Sequence, residues 1–187
     1  MNWAHRRLCR SGAWRAALED KILPWVLEDV RLGDDLLEVG PGPGLTTDVL
    51  RTRVRRLTAL EVDRSLAAAL GRRLNGGNVA VVEGDGARMP FGEGSFSSAV
   101  SLTMLHHVPS PALQDRLLAE VCRVLGSGSW LVGTDSLTSL LFRVLHLGDT
   151  MVMVDPSTLA VRLERAGFVD VSVDVGPGRF RFRGRKP

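Results

Sequence analysis

The 187-residue chain has no tyrosine, two cysteines, two lysines and no apolar run approaching bilayer length. Each shortage excludes something. Without about 20 consecutive apolar residues, no membrane-spanning helix is expected. Cys9 and Cys122 allow one bridge at most and sit in no CxxC or Cys/His spacing. Neither a disulfide framework nor a metal site is therefore expected, and a reduced, cytoplasmic protein is. The arginines near the start are followed by Glu19, Asp20 and Lys21, with no apolar core or small-residue cleavage site. The opening segment thus does not read as a signal peptide.

With 44% hydrophobic and 24% charged residues, the composition is that of a folded globular protein, and the length suits one domain. The net charge of +3 is carried almost wholly by arginine, the lysines being Lys21 and Lys186. Arg179, Arg181, Arg183, Arg185 and Lys186 gather positive charge at the end, which admits a nucleic-acid surface. Phe180 and Phe182 alternate with those arginines, and the period of two favours a strand with arginines on its wet face.

Strand and helix patterns alternate along the chain. Trp14, Leu18 and Ile22 share helical spacing up to Pro24, which forces a break and starts a short second helix. Strands are expected at Leu36 to Val39, Leu57 to Val62, Val79 to Val82, Phe96 to Leu102 and Trp130 to Thr134. The run at Val79 reads as a strand buried on both sides. Helices are expected after Gly44, after Asp63 as cap (with Leu66, Leu70 and Leu74 on one face), after Ser110-Pro111 and after Asp155-Pro156. Gly126 reads as the C′ stop of the third of these. Phe168 to Val175 and Arg179 to Arg185 close the chain as a hairpin over Gly176-Pro177-Gly178.

This order predicts an α/β fold: a doubly wound, Rossmann-like sheet of seven strands, the last antiparallel, with helices on both faces. One domain spanning 1–187 is expected. It would comprise a helical lid (1–32), a cofactor-binding core (33–135) and an acceptor-side segment with the closing hairpin (136–187).

In such sheets ligands bind beyond the carboxyl ends of the strands, at the topological switch. Gly40, Gly42 and Gly44 follow the first strand as GxGxG, with Leu45 where a dinucleotide fingerprint wants glycine or alanine. Pro41 and Pro43 remove two backbone donors that a pyrophosphate would need. The loop leans from NAD towards S-adenosylmethionine. Glu61 ends the second strand about twenty residues on, the spacing for a ribose diol. Asp85 ends the third, where a carboxylate could take the adenine amine.

These motifs resemble the class I S-adenosylmethionine-dependent methyltransferases from Leu36 to about Asp135. Leu36-Leu37-Glu38-Val39-Gly40-Pro41-Gly42-Pro43-Gly44 is similar to the family's first motif, Ala59-Leu60-Glu61-Val62-Asp63 to its second, and Glu83-Gly84-Asp85-Gly86-Ala87 to its third. By resemblance, Glu38, Gly40, Gly42 and Gly44 line the methionine end of S-adenosyl-L-methionine. Glu61 takes the ribose and Val62 packs on adenine. Asp85 takes the adenine amine, with Gly86 and Ala87 at the ring, and Leu102 closes the site from the fourth strand. Met89-Pro90-Phe91, Phe96 through Val100, Leu105-His106-His107-Val108 and Arg123-Val124-Leu125 resemble the subgroup that includes quinone-biosynthesis methyltransferases. Two departures stand out: Ser97 where that subgroup has aspartate, and Gly126-Ser127-Gly128-Ser129 in place of Arg-Pro-Gly-Gly.

The first two motifs also resemble ribosomal RNA adenine dimethylases. Those enzymes carry an Asn-Leu/Pro-Pro-Tyr motif after the fourth strand and a C-terminal helical domain. Here Leu102-Thr103-Met104-Leu105-His106-His107 stands in that place, which disfavours nucleic acid as partner. The expected reaction is methyl transfer to a small molecule. An apolar acceptor pocket would be formed by Trp3, Trp14 and the Ser136 to Val154 segment, whose alternative reading is ordinary core. An RNA methyltransferase and a non-catalytic S-adenosylmethionine-binding module stay open. His107 and His106 are the candidate bases, against a role in shaping the loop. Adjacent side chains in an extended segment point apart, so at most one can face the pocket.

Overall fold

The computed structural model describes residues 11–138 and 148–187. Trp3, Cys9 and residues 139–147 of the expected acceptor segment lie outside the described residues. The helical opening runs through α1 (Gly12–Ala17), a π-helical turn (Leu18–Ile22) and α2 (Leu23–Val26). Ser11 caps α1 by accepting from the Trp14 N–H. The π turn precedes Pro24, whose ring and missing N–H disfavour an unbroken α-helix.

Seven strands form one sheet in the order β3-β2-β1-β4-β5-β7-β6. They are β1 (Asp35–Val39), β2 (Arg56–Glu61), β3 (Val79–Glu83), β4 (Phe96–Leu102), β5 (Leu125–Ser136), β6 (Val169–Gly176) and β7 (Arg179–Arg185). β1 to β5 are mutually parallel; β7 runs antiparallel to both β5 and β6. The connecting helices are α3 (Leu45–Leu50), α4 (Arg64–Arg73), α5 (Pro111–Val124) and α6 (Pro156–Arg165), with a 3-10 turn at Leu105–His107. The order reverses between β1 and β4, which opens the ligand crevice of such sheets at their carboxyl ends.

Alternation along the strands splits the core in two. Leu36, Leu57, Val100 and Val132 face α1 to α4, while Leu37, Ala99 and Leu131 face α5 and α6. Phe180 and Phe182 of β7, both buried, anchor the second layer; truncating either to alanine would cost about 3–5 kcal/mol. The expected caps are present: Asp63 accepts from Ser65 and Leu66 N–H, Ser110 from Leu113, and Asp155 from Ser157.

Two local expectations are corrected. The Val79 run is not buried on both sides, because β3 is an edge strand and its residues are half-buried or exposed. Gly126 is not a left-handed stop. α5 passes through extended Leu125 directly into β5, and the left-handed glycine of that stretch is Gly128. Ser97 falls where the β4 register shifts. Its hydroxyl accepts from the Asp35 N–H and donates to the Asp35 carbonyl, tying β4 to the start of β1.

Candidate active site

A cavity of about 650 Å³ lies at the carboxyl ends of the parallel strands, within the size range of ligand sites. One half is made by strand ends. Gly40 and Gly42 follow β1 in left-handed conformations (φ 69° and 55°) that glycine adopts freely. The loop's own donors are committed: Gly40 N–H to the Leu60 carbonyl, Gly42 N–H to Glu61 Oε2 at 2.9 Å, and Gly44 N–H to the Pro41 carbonyl. With prolines at 41 and 43, the loop is poor in donors for a pyrophosphate.

Glu61 is buried at the cavity wall, its other oxygen accepting from the Asp63 N–H at 2.9 Å. Burial pushes its carboxyl above the ordinary value while those backbone donors pull it down. Two N–H bonds leave lone pairs for hydroxyl donors. Val62 beside it is 71% exposed, a large apolar side chain open at the cavity. Asp85 accepts from the Ala87 N–H through Oδ1, setting the turn that brings Gly86 and Ala87 to the wall. A Cβ on Gly86 would meet Leu117 Cδ1 at 2.8 Å, so a larger residue there would have to push the Leu117 side chain aside. Leu102 completes this half.

Two residues expected at the wall stand behind it. Glu38 is buried and accepts from Thr47 Oγ1 at 2.7 Å, joining β1 to α3 under the loop. Burial raises its pKa to about 7. Gly44 begins α3 at φ 83° against α4, where a Cβ would lie 2.2 Å from Leu70 Cδ1. Neither is among the lining residues.

The other half is made of side chains from separated segments: Trp14, Leu18 and Ile22 from the opening helices, Met104 and His107 after β4, and Ser136 and Arg179 from β5 and β7. Thr103 also lines the cavity in a left-handed conformation (φ 56°) rare for a branched residue, with its N–H on the Thr134 carbonyl at 2.7 Å. Only one of the two histidines lines the cavity, but the expected extended geometry is corrected: Leu105–His107 is a 3-10 turn, and the two rings lie against each other with centroids 4.2 Å apart. His106 is fully buried, its Nδ1 2.6 Å from Asp135 Oδ1 and its N–H on Asp135 Oδ2, and it is not among the lining residues. His107 lines the cavity with Nδ1 3.1 Å from the Thr150 carbonyl. A proton on Nδ1 there makes Nε2 the basic nitrogen of the neutral ring.

Sequence reasoning missed Arg179, Asp135 and Thr103. For Arg179 the signal was available: the first residue of an antiparallel strand lies at the carboxyl ends of its parallel neighbours. The pairing Ser136↔Arg179 puts it there. The other arginines lead away along β7 and are paired. Arg181 meets Glu28 and Asp174, Arg183 donates to Ser172 and the Glu28 carbonyl, and Arg185 meets Asp170. The wet-face reading is corrected: these three are half-buried and paired within the protein, and Arg181 and Arg183 lie over Trp25 and Trp130 and donate to the Trp25 and Glu28 carbonyls.

A family described as a methyltransferase domain matches residues 37–133, more than half of the chain. The chain belongs to this family. Its matched stretch covers β1 through most of β5, the elements that build the strand-end half. The ribosomal RNA small subunit methyltransferase A of Methylibium petroleiphilum is 39% identical over 94 residues, covering 50% of this chain and 35% of that protein. The protein-L-isoaspartate O-methyltransferase of Rhodopseudomonas palustris is 33% identical over 119 residues, covering 56% and 55%. The chain thus spans about a quarter to a half of the length of the curated relatives it matches. A SAM-dependent methyltransferase from Aquifex aeolicus shares the fold at a TM-score of 0.76 and 18% identity, with both chains covered in full.

Two of the remaining expected motifs are joined by hydrogen bonds. Glu120 accepts from the Met89 N–H and pairs with Arg123, which donates to the Phe91 and Met89 carbonyls. The expected signatures at Met89-Pro90-Phe91 and Arg123 are therefore one hydrogen-bonded unit. Among the described residues, no helix is long and apolar enough to cross a membrane and no cluster of metal-ligating side chains occurs.

Proposed function

We propose that the protein transfers a methyl group from S-adenosylmethionine to a small, largely apolar molecule. The observation that carries the cofactor is Glu61: a buried carboxylate on the cavity wall, beside an exposed Val62 and a glycine loop with few spare donors. That set suits a ribose diol and a flat apolar ring, and suits a pyrophosphate poorly. Asp85 and the Gly86-Ala87 backbone would hold the adenine edge, and Gly40 and Gly42 the amino-acid end. When bound, S-adenosylmethionine supplies a methyl group already activated by its sulfonium, so proximity and in-line orientation carry most of the catalysis. Trp14, Leu18, Ile22 and Met104 would orient the acceptor and exclude water. His107 would take the proton from an acceptor that must lose one.

The small-molecule reading is supported by the enclosing apolar side chains of the second half and by the pairing of Arg181, Arg183 and Arg185 within the protein. The resemblance to quinone-biosynthesis enzymes points the same way. Likeness to the ribosomal RNA enzyme favours RNA as second reading, but it covers only half of this chain. Calorimetry with S-adenosylhomocysteine and NAD tests the cofactor. S-adenosylhomocysteine should bind, NAD should not, and Glu61→Ala should weaken binding by about 1.5–3 kcal/mol. Unchanged affinity in a folded Glu61→Ala protein would remove the ribose from Glu61. Tight, sequence-selective RNA binding at physiological salt would replace the small-molecule acceptor.

A further inference from the structure

The four arginines of β7 share one face of the sheet, and three of them lie over tryptophans: Arg179 over Trp14, Arg181 over Trp25 and Arg183 over Trp130, each 5.3–5.8 Å from the ring centre. They differ in one respect. Arg181, Arg183 and Arg185 are held by carboxylates, a hydroxyl or carbonyls of the protein, whereas Arg179 pairs with no carboxylate among the described residues. Its Nη1 is buried without a hydrogen-bond partner, and the residue lines the cavity. A buried unpaired donor costs on the order of 1–3 kcal/mol, more when charged. Other atoms of the residue line the cavity, so Arg179 is a cation at the cavity that no carboxylate of the described residues matches, and an anionic ligand there would match it.

From this geometry, and resting on the proposed methyl-transfer reading, we infer that the acceptor carries a carboxylate and that Arg179 binds it. The charge arithmetic selects a monoanion. Arg179 is the one arginine among the described lining residues. Nearby Asp135 is a buried carboxylate committed to His106 and the Ser136 N–H. Burial lowers the Arg179 pKa and the Asp135 charge raises it, but a guanidinium stays cationic at physiological pH. A phosphate dianion would face a single cation with Asp135 close by. A carboxylate is matched one for one, and its two oxygens fit the planar fork of a guanidinium. The Arg179 guanidinium carbon lies 5.8 Å from the centre of the Trp14 ring, and both residues line the cavity. The carboxylate is the handle and not the methylated atom, because a paired, hydrogen-bonded carboxylate is a poor nucleophile. The acceptor class is thus a mainly apolar acid with its nucleophilic group elsewhere.

Calorimetry separates this inference from the reading beneath it. S-adenosylhomocysteine is titrated first into wild type, Arg179→Gln and Arg179→Lys; equal binding shows all three folded with an intact cofactor half. Failure of wild type to bind would sink the methyl-transfer reading itself. The saturated proteins are then titrated with benzoate, benzamide and phenyl phosphate. Wild type should prefer benzoate over its neutral isostere by roughly 10- to 100-fold. Arg179→Gln should erase that preference, and Arg179→Lys should keep part of it. The inference is overturned if wild type binds benzoate and benzamide alike or neither, if the preference survives Arg179→Gln, or if phenyl phosphate binds more tightly than benzoate.

Discussion

In the half of the cavity proposed for the cofactor the wall is backbone and short side chains at the ends of three adjacent strands; in the half proposed for the acceptor it is long side chains from segments far apart in sequence. The first half is tied together by the sheet: β1, β2 and β3 are paired in register and their loops are cross-linked, as Gly42 is to Glu61 across 19 positions. The second depends on helices docking against β5 and β7. Arg181 does much of that docking, reaching the Trp25 carbonyl and Glu28. A wall built at strand ends can be shared across a family, while one built from separated side chains can change its ligand without disturbing the sheet. Relatives that act on ribosomal RNA and on protein isoaspartate fit that division.

His107 stands at the seam, after β4, and its substitution should have the largest effect. Once an acceptor is found, His107→Gln should lower turnover by roughly 10²–10⁴-fold and remove the acidic limb of the pH profile. His106→Leu should act differently. Removing the ring partner of buried Asp135 should cost about 1–3 kcal/mol of stability, seen as a lower melting temperature. A His107→Gln enzyme with full rate and an unchanged pH profile would make both histidines structural, and the seam would work by positioning alone.

Glu38 sharpens the comparison from beneath the cofactor half. Its folded pKa of about 7 lies above the ordinary 4.5 because burial disfavours the charged form. The stabilising effect of the neutral carboxyl is therefore full below pH 4.5 and lost as pH rises towards 7. Over that window the shift corresponds to roughly 3 kcal/mol. Glu38→Gln keeps an acceptor for Thr47 and cannot ionise, so its stability relative to wild type should climb from pH 4.5 to 7 and level off above. Urea unfolding at a series of pH values reads this directly. A constant difference across the range would show that Glu38 is not buried as a neutral acid.

The two halves also differed in how far they could be read from sequence. Period-two and period-3.6 patterns located the seven strands and the main helices, and their alternation gave a mostly parallel sheet with an antiparallel end; the strand order itself came from the structure. The strand-end wall of the cavity was legible because its residues sit at fixed offsets from strand ends, as Gly40, Glu61 and Asp85 do. Glu38 and Gly44 share those motifs, yet serve the wall from behind. A motif records that a residue type is needed, not whether ligand or neighbouring helix needs it. Leu70 at 2.2 Å from a Gly44 Cβ is such a neighbour. The acceptor half was hidden because the alternation of Arg179 to Arg185 makes four arginines look equivalent. Only the antiparallel pairing of β7 with β5 sets Arg179 at the ligand edge.

Trp14 should have the smallest effect, and it tests whether the halves are separable. Its ring lies under the Arg179 guanidinium with a centroid distance of 5.8 Å, and it lines the cavity. A half-buried cation–π contact is worth roughly 0.5–2 kcal/mol. Trp14→Leu keeps an apolar side chain against Leu18 and Ile22 but removes the face that holds the guanidinium. Benzoate affinity should fall about three- to tenfold, while S-adenosylhomocysteine affinity stays at the wild-type value. The order of the two effects decides the matter. If Trp14→Leu weakens S-adenosylhomocysteine more than benzoate, the opening helices belong to the cofactor half, and the cavity must be treated as one site whose walls are energetically coupled.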